Sequence, residues 1–123
     1  MTRVLIVFGA GGLGSVARYL VGLAVGPRGF PYATLIVNLV GSCLIALVLQ
    51  LALSRHDFSA NLRIALTTGF MGGFTTYSSF NFETTKLILD GQPARGLVNA
   101  GVTLVGAFAA GMLGLWVARR IAS

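Results

Sequence analysis

The chain has 123 residues, of which 55% are hydrophobic and only 10% charged. Soluble domains carry about 25% charged and roughly 45–50% apolar residues, and disorder needs low hydrophobicity with high charge, so an ordinary soluble enzyme and a disordered chain are both excluded. The net charge of +6 comes from nine scattered Lys and Arg against Asp57, Glu83 and Asp90; without a basic cluster it does not suit nucleic acid, whereas cations flanking apolar runs suit a membrane protein.

Four apolar segments follow, each long enough to cross a hydrocarbon core of about 30 Å. They make one all-α membrane domain. The first covers residues 4–25 and closes at Gly26-Pro27-Arg28-Gly29-Phe30-Pro31, a run of helix punctuation. It is too long for a signal-peptide core and reads as a retained helix. Val4-Leu5-Ile6-Val7-Phe8 followed by Gly9-Ala10-Gly11-Gly12-Leu13-Gly14 matches the strand-plus-GxGxxG nucleotide fingerprint. That motif needs an acid about 20 residues further on to hold a ribose hydroxyl, and the first acid of the chain is Asp57. Close helix packing explains the glycines better, with Gly11, Ser15, Arg18 and Gly22 at helical spacing. Arg18 has two readings. It is a long-armed anchor or a cation attracting anions at a mouth.

The second segment covers residues 32–53 and ends at Ser54-Arg55-His56-Asp57. Thr34, Asn38 and Gly41 share a face, with Ser42 one turn beyond Asn38. A bare amide in lipid is costly, so Asn38 must meet protein or water, as an interhelical bond or as part of a path. Cys43 is the single cysteine, which excludes an intramolecular disulfide.

The third segment, residues 62–89, carries the strongest signal. Gly69-Phe70-Met71-Gly72-Gly73 predicts a break near mid-membrane, and Thr75-Thr76-Tyr77-Ser78-Ser79-Phe80-Asn81 follows at once. Non-helical backbone at that depth survives only when protein-buried or facing a watery cavity, and its freed carbonyls are ready cation ligands. A kink alone would not call for so many hydroxyls. Thr76, Ser79 and Glu83 fall on one face of the resumed helix, flanked by Tyr77 and Phe80, whose positive ring edges can partner an anion. Packing is the plainer role for that aromatic pair, and a Glu83–Lys86 ion pair the plainer role for the acid.

Asp90-Gly91-Gln92-Pro93 leads to the fourth segment, residues 97–117, capped by Arg119 and Arg120. Asn99 and Thr103 extend a possible polar lining, while Ala107, Gly111 and Gly114 mark a close helix contact. With four crossings, Arg3, Arg55, Arg63, Arg119 and Arg120 share one face; Arg28, Lys86, Arg95 and an outward-reaching Arg18 share the other. The Lys/Arg bias sets orientation. A near-tie fits either insertion both ways up, with paired opposed copies, or one orientation fixed by a few residues. The intramembrane polar groups are mainly donors, which suit a very small anion that must shed water and leave again.

Gly11-Gly12-Leu13-Gly14 with Arg18-Tyr19, Asn38-Leu39-Val40-Gly41-Ser42, and above all the run from Gly69 to Phe80 resemble the Fluc (CrcB) fluoride channels. The likeness covers all four segments in order. It implies passive fluoride export that lowers fluoride toxicity, by a dual-topology, antiparallel homodimer in the cell inner (plasma) membrane. It further implies Asn38 in a pore vestibule, Tyr77 and Phe80 as the aromatics whose edges contact fluoride, and Thr76, Ser79, Thr103 and Asn99 along a hydroxyl track. Glu83 would stand beside that track and Arg18 at the mouth. Gly72 and Thr75 would give carbonyls to a central structural sodium. Two departures stand out: Tyr77 replaces the usual Phe, and Asn99 replaces an expected tyrosine.

Two rivals remain at this level. A proton-coupled exporter of small cationic drugs would work through Glu83, its sole deep acid. A membrane subunit that transports nothing would leave the hydroxyl-rich break without purpose.

Overall fold

A computed structural model describes residues 1–123, and every regular element in it is helical. Helix α1 (Thr2–Val25) stops at Gly26, whose φ of 70° favours glycine and whose N–H closes on the Gly22 carbonyl. Pro27 and Pro31 delay the next helix, α2 (Tyr32–Ser54). Ser59 caps the short helix α3 (Ala60–Ile64) by accepting the Leu62 N–H. The chain then widens into a π-helical stretch (Ala65–Met71) and tightens to a last turn, α4 (Gly72–Phe74).

After two extended residues, α5 (Tyr77–Leu89) begins at Thr76, whose Oγ1 accepts the Ser79 N–H at 3.2 Å. Its end is a Schellman closure: Gly91 N–H bonds the Ile88 carbonyl, Gln92 N–H bonds the Leu87 carbonyl, and Gly91 sits at φ 84°. Helix α6 (Pro93–Ala122) starts on a proline, whose missing N–H has no helical partner to lose there. The last helix is thus longer than the expected 97–117. Arg119 and Arg120 lie inside its final turn, where cations complement the helix end, and Arg120 rests over the Trp116 ring.

The third segment departs from expectation in one respect. The glycines Gly69 to Gly73 stay helical, in π and then α form, and the backbone turns extended only at Thr75 (φ −86°, ψ 156°) and Thr76 (φ −150°, ψ 115°). The glycines serve contact instead. A Cβ on Gly14 would strike the Phe70 carbonyl, and one on Gly73 would strike the Gly11 carbonyl and the Ser15 N–H. Helix α1 and the stretch 65–74 therefore approach backbone to backbone. This also disposes of the nucleotide motif, because residues 4–14 are helix and not strand.

Helix α2 lies along α6, with Leu39 against Gly106 and the Cys43 carbonyl against Gly114, and α5 packs on α6. A small apolar centre of Val37, Met71 and Phe74 joins α2 to the third segment. Only 13 of 123 residues are buried, and large apolar side chains such as Phe8, Leu89 and Phe108 face outward. Water-soluble monomers rarely leave so much apolar surface open. Helices α1, α2 and α6 are each long and apolar enough to cross a membrane.

Candidate functional site

The site begins where the third segment leaves helical geometry. Thr75 directs both its N–H and its Oγ1 to the Met71 carbonyl, at 3.0 and 2.9 Å. Helix α2 then takes over the next peptide group. Asn38 Nδ2 donates to the Thr76 carbonyl at 3.0 Å, and Asn38 Oδ1 accepts the Thr76 N–H at 2.8 Å. One side-chain amide thus meets both backbone polar groups of Thr76, much as a neighbouring strand would. An asparagine has two amide hydrogens, so one remains for the cleft that Asn38 lines.

The extended geometry releases other backbone groups. Thr76 N–H has turned away from the Gly72 carbonyl, and Ser79 N–H bonds Thr76 Oγ1 in place of the Thr75 carbonyl. Arg18 Nε reaches the Gly73 carbonyl at 3.0 Å. Arg18 is therefore held against the third segment and does not reach outward. The rest of its guanidinium still lines an inner cavity.

The hydroxyls divide between structure and lining. Thr76 Oγ1 donates to Ser79 Oγ at 3.2 Å, which leaves the Ser79 proton available. Thr34 donates to Glu83 Oε1 at 2.9 Å, while the buried Glu83 Oε2 has no partner. The anticipated Glu83–Lys86 pair does not form, because Lys86 bonds Asp90 at 2.7 Å one turn further on. Ser42 turns back to its own helix, bonding the Asn38 carbonyl.

Three cavities run through these groups. A cleft of about 460 Å³ has Asn38, Thr76, Tyr77, Phe80 and Thr103 in its walls. Tyr77 and Phe80 meet there with ring centroids 5.8 Å apart and planes at 58°. An inner cavity of about 340 Å³ is walled by Arg18, Thr34, Thr76, Ser79 and Glu83. Thr76 belongs to both. A third hollow, of about 260 Å³ at the loops, shares Glu83 with the inner cavity and carries Arg28, Lys86 and Asp90. The sequence thus lines three neighbouring spaces with one face of α5, from Phe80 by way of Thr76 and Glu83 to the 26–31 loop, adjacent spaces sharing one wall residue.

Thr103 joins this lining with a buried, unpartnered Oγ1. Asn99 does not. It is 1% exposed at the contact of α5 with α6, where its Nδ2 donates to Thr84 Oγ1 at 2.8 Å, and it lines none of the three spaces. Thr84 escaped the sequence reading; its position one turn after Phe80 was the only available clue. Thr75 is half-buried in the wall of the cleft, whereas Gly72 is exposed and is not part of that wall.

A family model described as CrcB-like protein, Camphor Resistance (CrcB), matches residues 5–115. A Sorangium cellulosum protein named fluoride-specific ion channel FluC is 46% identical over 114 residues, 90% of each chain. Proteins of the same name from Chlorobium chlorochromatii and Chlorobaculum tepidum are 47% and 48% identical, covering 96% and 89% of this chain and 94% and 88% of their own. The chain belongs to the CrcB-like family and is a membrane protein.

Proposed function

We propose that the protein is a passive, fluoride-selective channel that lets the ion leave the cytoplasm across the inner membrane. The observation that carries this reading is that two cavities share Thr76 as a wall residue, with aromatic edges in one and the free Ser79 hydroxyl proton in the other. Fluoride enters the cleft and exchanges water for the positive edges of Phe80 and Tyr77, the spare Asn38 amide hydrogen and the Thr103 hydroxyl. It passes Thr76 to Ser79, drawn by the Arg18 charge. At the far end the Glu83 carboxylate, held by Thr34, repels the anion and keeps its stay short, as conduction requires. The segment 60–89 then forms the third of four crossings, broken at Thr75–Thr76 near mid-membrane.

The working unit is an antiparallel dimer. One copy leaves the cleft open beside Tyr77 and Phe108, which are 77% and 76% exposed. A second, inverted copy would cover that flank. The same pairing gives a structural sodium its ligands: the Gly72 and Thr75 carbonyls have lost their helical donors, and two chains supply four such oxygens. Bound there, sodium would hold the two breaks together electrostatically; it takes no part in moving the anion. Proton-coupled drug export is not favoured, because Glu83 sits at the loop-side end of the path and no other acid lies in a crossing.

Liposomes loaded with potassium fluoride or potassium chloride, opened electrically with valinomycin, test this. Fluoride release without chloride release is expected, falling when sodium is replaced throughout. Folded protein that moves neither anion overturns the channel, and undiminished release without sodium removes the metal.

A further inference from the structure

Helices α5 and α6 meet along an antiparallel seam with one register. Ile88 packs where Gly96 has no side chain, and a Cβ on Gly96 would lie 2.5 Å from Ile88 Cγ1 and 3.0 Å from the Thr84 carbonyl. One turn on, Asn99 Nδ2 bonds Thr84 Oγ1 at 2.8 Å. One turn further, Phe80 and Thr103, both nearly buried, face the cleft together. The pairs 88–96, 84–99 and 80–103 step along both helices at helical spacing, so whatever fixes one pair fixes the others.

Between helices in lipid there is no hydrophobic force to choose a register. The Ile88–Gly96 contact is a close fit without a hydrogen bond, and the other polar ties of α5 and its N-cap, Thr34–Glu83 and Asn38–Thr76, run to α2 and not to α6. The seam's single interhelical hydrogen bond is the one between Asn99 and Thr84.

We infer that Asn99 and Thr84 form a positioning clasp: by locking α5 on α6, the pair sets the gap between the Phe80 ring and the Thr103 hydroxyl and so the size of anion admitted. Neither residue touches the ion. This rests on the channel reading above, and it gives Asn99 a different task from lining the path.

The test uses full-length protein in fluoride- and chloride-loaded liposomes, with folded protein quantified by size-exclusion chromatography before reconstitution. Thr84→Val keeps the side-chain shape but removes the acceptor, leaving a buried amide unmatched; the fluoride-to-chloride release ratio is expected to fall about tenfold. Thr84→Ser keeps the hydroxyl and is expected to stay near the wild-type ratio. If Thr84→Val fails to fold, Asn99→Ala, which deletes the amide as well, is read the same way. A packing role alone would lower the yield of folded protein and leave the ratio unchanged. A wild-type ratio in folded Thr84→Val, or in Asn99→Ala in its place, overturns the clasp, as does a loss in Thr84→Ser equal to that in Thr84→Val. Wild-type liposomes run alongside separate the two claims, since absence of fluoride release there refutes the channel itself.

Discussion

At Asn38 a single side chain keeps a break in a helix from becoming a defect. Unpaired peptide groups buried away from water each cost about 1–3 kcal/mol, and the extended residue Thr76 exposes both an N–H and a carbonyl that Asn38 alone satisfies. Asn38→Leu removes both bonds and the spare amide hydrogen. We expect fluoride flux from Asn38→Leu liposomes to drop by at least about tenfold, the effect of 1.4 kcal/mol, with a lowered unfolding temperature in detergent; wild-type flux would contradict the role. The cost of a bare amide in lipid made Asn38 conspicuous in the sequence, but its partner, 38 residues away, was beyond any local rule. Lys86 shows the same limit at short range. Glu83 and Asp90 stand three and four residues from it, both within reach on a helix, and only the fold decides for Asp90.

At the scale of elements, the glycines of α1 and of the third segment answer each other. Gly14 faces the Phe70 carbonyl and the Phe74 N–H, whereas Gly12, two residues earlier, faces nothing within 4 Å. Backbone cannot swing aside as a side-chain tip can, so Gly14→Ala forces the two segments apart, and overpacking of that kind costs about 1–3 kcal/mol. The matched pair should separate in thermal unfolding: Gly14→Ala clearly less stable, Gly12→Ala close to wild type. Equal behaviour of the two would refute the backbone contact. The sequence shows small residues at helical spacing in α1 and a glycine run in the third segment. It does not show that they are two halves of one contact, and so it invites the expectation of a break at Gly69–Gly73. The break lies at Thr75–Thr76 because hydrogen bonds place it: Thr75 doubles back on Met71, and Asn38 captures Thr76.

For the whole molecule, hydropathy made the helical architecture legible, since lipid admits few ways to satisfy a backbone and a helix satisfies it within itself. Three of the four apolar segments are continuous helices of spanning length; the interrupted one holds the site. Asn38, Thr76, Ser79, Phe80 and Glu83 come together because α2 and α5 flank that interruption. Asn99 falls one turn further along the α5–α6 seam, against Thr84, a placement that depends on where α5 restarts. The charge pattern alone left topology near balance. The central claim is that the anion moving through this framework is fluoride. Purified protein in a planar bilayer, with fluoride on one side and chloride on the other, tests it most directly. The current is predicted to reverse at the fluoride end of the voltage range; reversal near zero, or at the chloride end, would contradict the account.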